Sequence, residues 1–401
     1  MSVFLAAADR RRPDWLLLGA AFALALIGAL LVWAATRDRP SVTGGHPESY
    51  LVRHLVNTVI AAVFCALVMR LDPRQLRLFG PAIYAASLLG LLAVFAVGVT
   101  INGAHAWIRL PGFEVQPAEF TKLGLVVSLA VFFSSRAVGR RDDAPPGPID
   151  VLVALGLAAV PLALIMLQPD LGSAMVVAAS AFGVLVAAGV RARWTIGLLV
   201  AGVLLVFLAV KAGVLAEYQL ARFTAFTDPS ADPKGAAYNI TQARIAIANG
   251  GLFGSGLFRG AQTGGGFVPE QQTDFVFSVA GEELGFVGSL LIVGLFAVLC
   301  WRGVLIALRA DRTGRLIAAG IVCWFGFQAF QNIGMNLGLT PITGLPLPFV
   351  SYGGSSMIAQ GMAVGLLEAI HLRGGRPPRS PRPGTGWAAA PADRVGTVTR
   401  A

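Results

Sequence analysis

Three short polar segments interrupt an otherwise apolar chain and carry the side chains that could do chemistry. Glu119 and Lys122 lie three residues apart, so they share a helix face and can pair. Asp170 follows a Gln-Pro pair, and Glu270 and Asp274 stand in the run Pro-Glu-Gln-Gln-Thr-Asp-Phe. A carboxylate can act as a general base, and a lysine can bind an anion. Charges at membrane depth are costly and usually functional, so these segments predict a polar cavity.

Each segment also has a structural explanation, and the sequence leaves both open. Glu119 and Lys122 can form an ion pair that locks helix packing. Asp170 and Asp274 each precede an apolar run, where an aspartate caps a helix N-terminus. A further polar face predicts interhelical hydrogen bonds as well as a cavity wall. That face carries Gln328, Gln331, Asn332 and Asn336.

The polar pattern continues from Asp274 into the apolar run that follows it. Asp274, Ser278 and Glu282 recur at intervals of four residues, which places them on one helix face. Gly281 and Gly285 beside them allow another helix to approach closely. We therefore expect these groups to line one cavity at the outer side of a membrane.

The elements that must position these residues are spanning helices. Apolar residues make up 56% of the 401 residues and charged residues 13%, against about a quarter charged in soluble domains. Apolar runs of about 20 residues are long enough to cross a hydrocarbon core. The sequence predicts an all-α, polytopic membrane helix bundle of about ten transmembrane helices, with a long extracytoplasmic loop at about 214–274 between helices 7 and 8. The predicted spans are 14–36, 52–69, 79–99, 117–135, 149–167, 171–190, 194–213, 275–300, 316–338 and 350–371.

The distribution of basic residues predicts the orientation of the bundle. The chain has a formal net charge of +10, and its arginines cluster before the first span and after the even-numbered spans. Cytoplasmic loops of membrane proteins carry this excess, so both termini are expected in the cytoplasm and no nucleic-acid partner is expected. Cys65, Cys300 and Cys323 fall inside spans, and no Cys/His cluster has metal-ligand spacing.

Motifs spread over residues 50–372 resemble one family. They include the segments 102–108, 116–122, 168–172, 238–242 and 246–254. The most specific are Pro269 to Phe275 with the Gly-Glu-Glu-Leu-Gly run at 281–285, and 332–335 with 347–356. Their order and spacing are similar to those of the SEDS family of bacterial cell-wall proteins. The Phe-Val-Pro-Glu-Gln run at 267–271 and the short tail resemble the RodA group more than the FtsW group.

The resemblance implies a peptidoglycan glycosyltransferase of the bacterial plasma membrane. Such proteins polymerise lipid II into β-1,4 glycan strands with inversion, and they release undecaprenyl diphosphate. The RodA-like features imply a role in cell-wall elongation and cell shape. The family works with a class B penicillin-binding protein, a transpeptidase, and a divalent cation, Mg²⁺ or Mn²⁺, assists. The implied organisation is a cytoplasmic N-terminus (1–13), a transmembrane domain (14–372) and a disordered cytoplasmic tail (373–401).

The resemblance also implies roles for individual residues. Asp274 matches the essential aspartate of the family and is expected to be the general base for the acceptor hydroxyl. Gln272 stands where many members carry histidine, so no histidine role transfers to it. Cations are expected at the leaving diphosphate, and Trp107 is expected to stack on a sugar or to anchor at the interface. The cation candidates are Lys122, Arg109, Arg222 and Arg244, and the other expected substrate-binding residues are Glu119, Asp170 and Glu270.

Three other functions compete with an elongation polymerase. A division-specific, FtsW-like polymerase would use the same chemistry. A lipid II flippase would need a path with alternating access across the whole membrane. A non-catalytic scaffold for a transpeptidase would tolerate any change at Asp274. The polar residues cluster toward the outer half of the spans, which favours an enzyme with an outward cavity.

Overall fold

We describe a computed structural model of the chain. It describes residues 12–72, 75–101, 103–111, 113–137, 145–211, 222, 225–226 and 235–373. The first eleven residues of the predicted cytoplasmic N-terminus lie outside the described residues. So do residues 374–401 of the predicted tail and much of the first half of the predicted extracytoplasmic loop.

A helix coincides with each of the ten predicted spans, which confirms the all-α membrane bundle. Seven of these helices are long and apolar enough to cross a membrane by length and composition alone, and α7 is a shorter apolar helix of 17 residues. The eighth predicted span was too short, because its helix continues to Arg309. The helices at the ten predicted spans are α1 (Trp15–Thr36), α3 (Ser49–Met69), α4 (Gln75–Val97), α5 (Pro117–Arg136), α6 (Pro148–Leu167), α7 (Leu171–Ala187), α8 (Ala192–Lys211), α11 (Val276–Arg309), α12 (Arg312–Leu337) and α13 (Gly354–Arg373). The shorter helices are α2 (Pro40–Thr43), α9 (Ala236–Gly250) and α10 (Ala261–Gly265).

Aspartate side chains cap three of these helices. The carboxylates of Asp14 and Asp311 accept hydrogen bonds from backbone N–H groups in the first turns of α1 and α12. The Asp170 carboxylate accepts from the Ser173 N–H at 2.9 Å, so the capping interpretation of Asp170 is confirmed. Asp274 does not cap α11, because that helix begins after Phe275 and has no side-chain cap. The Asp274 carboxylate is therefore left for another role.

Small residues bring α13 directly onto α3. A Cβ atom at Gly361 would lie 2.5 Å from the carbonyl oxygen of Ala61, and one at Gly365 would lie 2.5 Å from that of Cys65. Membrane helices pack this closely where glycine removes the side chain. This contact fixes the start of α3 beside the start of α13, and both of these helix starts line the candidate site.

A break in α11 is filled by the glycine-rich run at 250–256. Gly285 has φ 69° and ψ −164°, which interrupts the helix. The Phe286 and Val287 N–H groups donate to the carbonyls of residues 251 and 252, at 2.9 and 3.1 Å. In return, the N–H groups of residues 255 and 256 donate to the Glu282 and Glu283 carbonyls, at 2.9 and 3.1 Å. Backbone groups in a membrane protein must be satisfied internally, and this exchange satisfies them.

The segment that leads into α5 is a small antiparallel sheet. The strands β1 (Val99–Ile101), β2 (Ala104–Leu110) and β3 (Phe113–Val115) are joined in the order β1-β2-β3. These three strands were not predicted from the sequence. The sheet lies beside the first turn of α5 and carries Trp107 and Arg109 to the candidate site.

Residues 238–249 form most of α9. Its buried residues Ile240 and Ala243 pack with Phe275, Met335 and Ile342 in a small apolar cluster. The helix therefore supports α11 and α12 beside the turn that carries Asp274.

Candidate active site

A cavity of about 1270 Å³ lies at the end of the bundle where α3, α5, α7 and α13 begin. The sheet and the segment 341–346 between α12 and α13 complete its walls. The structure brings seven of the predicted site residues to this one cavity, although they come from five separate parts of the chain. They are Trp107, Arg109, Glu119, Asp170, Arg222, Glu270 and Asp274.

A tight turn positions Asp274 at the cavity wall. The Glu270 carbonyl accepts hydrogen bonds from the N–H groups of Thr273, Asp274 and Phe275, at 3.2, 3.0 and 3.3 Å. Glu270 itself has φ 48°, a left-handed conformation that is rare for a residue with a side chain. The Glu270 carboxylate accepts from the Thr273 hydroxyl at 3.1 Å. Strained backbone of this kind is often found at functional sites.

The surroundings of Asp274 make its carboxyl a base suited to neutral pH. Burial raises the pKa of Asp274 to about 7. The neighbouring carboxylates of Glu270 and Asp170 act in the same direction, and the Arg222 guanidinium opposes them. The side chain is only partly exposed, at the cavity surface. A general base works best when its pKa lies near the operating pH.

Gly344 keeps the opposite wall close to both Asp274 and Arg222. A Cβ atom at this position would lie 3.4 Å from Asp274 Oδ2 and 3.4 Å from Arg222 Nη1. Gly344 also has φ 69°, which disfavours other residues there. The carboxylate and the guanidinium are therefore gathered at one point of the cavity.

Asp170 combines its capping role with a place on the cavity wall. Its Oδ2 accepts a hydrogen bond from Gln116 Nε2 at 2.7 Å, while Oδ1 caps α7. Gln116 is in turn the residue before α5. Asp170 thus holds the starts of two helices together at the cavity, and both of its oxygens are already engaged.

The Glu119–Lys122 pair lies within the protein. Lys122 Nζ is 2.6 Å from Glu119 Oε1 and 3.3 Å from Gln328 Oε1, and it lies 5.2 Å from the ring centre of Trp324. Lys122 is fully buried and does not line the cavity, whereas Glu119 does. This geometry matches the structural interpretation of the pair. We had expected Lys122 to lie at a substrate diphosphate, and the structure does not place it there.

Two other expected residues lie elsewhere. Arg244 is exposed on α9 and packs near Gly338, outside the cavity. Glu282 is buried, and its carboxylate accepts from the Gln262 N–H and from the N–H and hydroxyl of Thr263. Glu282 therefore anchors the start of α10, and the prediction that it shares a cavity face with Asp274 was wrong. The simple helical spacing failed because Asp274 lies in the turn before α11 begins, so it does not share the register of that helix.

The cavity also contains polar residues that the sequence analysis missed. Arg53 of α3 lines it, with its guanidinium carbon 5.8 Å from the ring centre of Tyr50. Tyr50 packs against Tyr352 with ring centres 4.8 Å apart. Arg53 could have been found from the sequence, because it lies near the start of an apolar span and charged residues there are often functional.

Three carboxylates at the cavity are candidate ligands for the divalent cation that the resemblance implies. The described residues contain no group of three or more His, Cys, Asp or Glu side chains that could hold a metal ion. Asp274, Glu270 and Asp170 do face one cavity. Mg²⁺ commonly binds through one or two carboxylates together with substrate phosphates. The residues present fit a cation of that kind, brought to the site with a diphosphate, and do not fit a cage made by the protein alone.

Fold and site together define a polytopic membrane protein with an enzyme-like cavity at one end. The family model of the cell cycle proteins FtsW, RodA and SpoVE matches residues 14–374. The chain therefore belongs to the FtsW/RodA/SpoVE family.

Curated relatives from both main groups of the family are similar to the chain. A probable peptidoglycan glycosyltransferase FtsW of Geobacter metallireducens is 36% identical over 90% of this chain and 95% of the relative. The peptidoglycan glycosyltransferase MrdB of Escherichia coli K12 is 35% identical over 90% of this chain and 94% of the relative. The two identities are nearly equal, so the closer resemblance to the RodA group stays a prediction.

Solved structures share the fold over most of the chain. A chain from a peptidoglycan synthase complex that coordinates polymerization and crosslinking has a TM-score of 0.73 at 33% identity. It covers 90% of this chain and 97% of its own length. The rod shape determining protein RodA of Thermus thermophilus has a TM-score of 0.64 at 32% identity, covering 92% and 97%.

Neutralising Lys122 tests whether the buried pair is structural. We expect Lys122→Met to leave an uncompensated buried carboxylate and to lower the free energy of unfolding by about 3–5 kcal/mol. The double variant Lys122→Met/Glu119→Gln should recover most of that loss. Arg109→Met is the matched control, since it breaks the exposed pair with Glu114 and should cost at most about 1 kcal/mol. Thermal unfolding in detergent measures all three, and equal stability of Lys122→Met and wild type would contradict the structural role.

Proposed function

We propose that this chain is a peptidoglycan glycosyltransferase that polymerises lipid II into β-1,4 glycan strands, with Asp274 as general base. The observation that carries the proposal is a carboxyl with a pKa raised to about 7, held in a large cavity together with arginine side chains. The names of the curated relatives support the same activity. The apolar residues Val56, Ile60 and Phe64 of α3 line another part of the cavity and suit the lipid chain of the substrate.

The reaction needs one base and no enzyme nucleophile. Asp274 accepts the proton from the 4-hydroxyl of the acceptor GlcNAc. That oxygen attacks the anomeric carbon of the donor glycan from the side opposite the diphosphate. The bond from the anomeric carbon to the phosphate oxygen breaks, and its electron pair leaves with undecaprenyl diphosphate. A single displacement converts the α-linked donor to a β-linked product, as in inverting glycoside chemistry.

The leaving diphosphate gains negative charge and needs cationic partners. Arg222 is the first candidate, because it lies at the same point of the cavity as Asp274. Arg53 and Arg109 line the same cavity, although Arg109 is also 3.2 Å from Glu114. Planar guanidinium groups suit phosphate oxygens. Lys122 and Arg244 are absent from this set because neither reaches the cavity.

A divalent cation bound with the substrate would neutralise part of the diphosphate charge. Glu270 is the carboxylate that we propose as its protein ligand, since it lines the cavity beside Asp274 and is not needed as the base. Asp170 is the weaker choice, because both of its oxygens already accept hydrogen bonds.

The opposite end of the bundle favours a polymerase over a flippase. There the Glu368 carboxylate accepts from the Asp14 N–H at 3.1 Å, and Arg302 Nε donates to Asp14 Oδ2 at 2.7 Å. These bonds tie together the start of α1 and the later parts of α11 and α13. A flippase would have to open this end, whereas a polymerase uses only the cavity at the other end.

The transpeptidase partner is proposed from a similar structure. A chain similar to this one belongs to a peptidoglycan synthase complex in which polymerization and crosslinking are coordinated. We propose that a class B penicillin-binding protein is the partner here. A role in elongation, in preference to division, rests on the RodA-like residues alone.

Replacing Asp274 tests the base directly. We expect Asp274→Asn to lower the rate of lipid II polymerisation by at least about a hundredfold, because the amide cannot accept the proton. Lipid II binding and folding should survive. Asp311→Asn is the matched control: it makes the same change at an aspartate that caps α12, and it should stay active. Glycan products are read on gels from purified protein, and normal polymers from Asp274→Asn would overturn the assignment.

Orientation in the membrane is tested with two exposed serines. The arginine distribution places Ser41 outside and Ser135 in the cytoplasm. In a background without Cys65, Cys300 and Cys323, we expect Ser41→Cys in spheroplasts to react with an impermeant thiol reagent and Ser135→Cys to react only after lysis. The reverse pattern would place the cavity on the cytoplasmic side and exclude extracytoplasmic polymerisation.

A further inference from the structure

The polar face of α12 holds main-chain carbonyls and offers little to a substrate. Its four amide side chains are buried, with exposed fractions of 0–3%. Of the four, only Gln331 lines the cavity. The face was predicted to make interhelical hydrogen bonds or to line the cavity. In the structure two of its oxygens accept interhelical hydrogen bonds, from Ser278 of α11 and Lys122 of α5. Its N–H donors bond mainly to two irregular segments, the turn at Asp274 and the segment 341–346.

Asn332 joins these two segments through one nitrogen. Its Nδ2 donates to the Asp274 carbonyl at 2.8 Å and to the Leu345 carbonyl at 2.7 Å. An amide NH₂ group has two donor hydrogens, so both are used. The two carbonyls belong to the two sides of the point where Gly344 approaches Asp274 and Arg222. Asn332 therefore sets the separation of those sides.

Asn336 adds a second hold on the same carbonyl. Its Nδ2 donates to the Asp274 carbonyl at 3.2 Å, and its Oδ1 accepts from the Ser278 N–H at 3.0 Å. Ser278 lies in the first turn of α11, so Asn336 fixes the chain on both sides of the helix start. One helical turn of α12 thus carries two amides aimed at the backbone of the proposed base.

The glutamines of the same face fix the segment that carries Gly344. Gln331 Nε2 donates to the Pro341 carbonyl at 3.0 Å, and Gln328 Nε2 donates to the Pro346 carbonyl at 2.8 Å. Gln328 Oε1 also accepts from Trp324 and from Lys122. The buried ion pair of α5 is therefore connected to the same row of amides.

We infer that Asn332 and Asn336 are positioning residues, which set the place of the Asp274 carboxylate relative to Arg222 and Gly344. This inference rests on the proposed function of Asp274. The reason is geometric. Both asparagines project from α12 and bond the backbone carbonyl of Asp274, the residue whose carboxylate is the proposed base. Neither asparagine lines the cavity. A displacement of about 1 Å at a catalytic group can cost on the order of a hundredfold in rate.

The choice of residue follows from the donors required. Aspartate has nearly the shape of asparagine, but as a carboxylate it brings only acceptors to two carbonyls that need donors. Asn332→Asp should therefore push the turn and the segment 341–346 apart with little change in volume. Asn336→Ala removes the second bond to the Asp274 carbonyl and the bond from the Ser278 N–H, and it leaves both Nδ2 bonds of Asn332. The two variants thus form a graded pair.

The experiment compares Asn332→Asp, Asn336→Ala and a control in purified protein. Thr313→Val is the control, because Thr313 is buried in the same helix but bonds to Ser134 at the far end. We expect kcat for lipid II polymerisation to fall by about ten- to a hundredfold in Asn332→Asp and less in Asn336→Ala. KM and lipid II binding should change less than about threefold, while thermal unfolding shows that each variant is folded.

The pH dependence supplies a readout that a merely structural role would not move. The ionisable groups that face Asp274 are Glu270, Asp170 and Arg222. When the turn loosens, the Asp274 carboxylate gains solvent and its pKa falls, so the acidic limb of the kcat/KM profile should move to lower pH. Thr313→Val should leave the limb in place even if it lowers stability.

The outcomes separate this inference from the proposed function. If Asp274→Asn polymerises normally, the base assignment fails, whatever the asparagine variants do. If Asp274→Asn is inactive but folded Asn332→Asp keeps wild-type kcat and pH profile, only the positioning inference is overturned. If Asn332→Asp does not fold, Asn336→Ala decides, and an unchanged kcat and limb in that variant also overturn the inference.

Discussion

The carbonyl oxygen of Asp274 is the atom on which the arrangement of the site depends. It accepts from Asn332 and Asn336, so a regular helix inside the bundle determines where an irregular turn ends. The turn itself is closed on the Glu270 carbonyl. Irregular backbone at membrane depth is stable only where protein groups satisfy it. The chemistry therefore sits where a helix start, a strained turn and a row of buried amides meet.

The same requirement explains most of the other buried polar residues. Glu282 satisfies N–H groups at the start of α10, and the run 250–256 satisfies the backbone freed at Gly285. Lys122 forms an ion pair with Glu119 and donates a hydrogen bond to Gln328 on the polar face of α12. Burying a charge without a partner is costly, so these contacts stabilise the walls of the cavity. The buried polar residues therefore hold the walls of the site in place, and the residues at the cavity surface are available to the substrate.

Much of this was predictable from the sequence, for identifiable reasons. The spans followed from length and hydropathy, because a bilayer requires about 20 apolar residues in each helix. The cap at Asp170 followed from its place before an apolar run. The positions of Lys122, Glu282 and Arg244 outside the cavity could not be predicted, because they depend on contacts with residues that are distant in the sequence. Helical spacing put Glu282 on the face of Asp274, but Asp274 lies in the turn before α11 begins, and the Glu282 carboxylate bonds the start of α10. The three strands at 99–115 were missed because two of them have only three residues, too few to show an alternating pattern.

The pH dependence of kcat/KM for lipid II polymerisation by the purified wild-type protein tests the central claim most directly. This ratio reports the ionisation of the free enzyme, in which burial raises the pKa of Asp274 to about 7. The base must be unprotonated, so kcat/KM should be close to its maximum above pH 8 and should fall tenfold for each pH unit below about pH 6. The midpoint of this acidic limb should lie near pH 7. A profile that stays flat down to pH 5 would contradict an Asp274 carboxyl that acts as the base from this buried site.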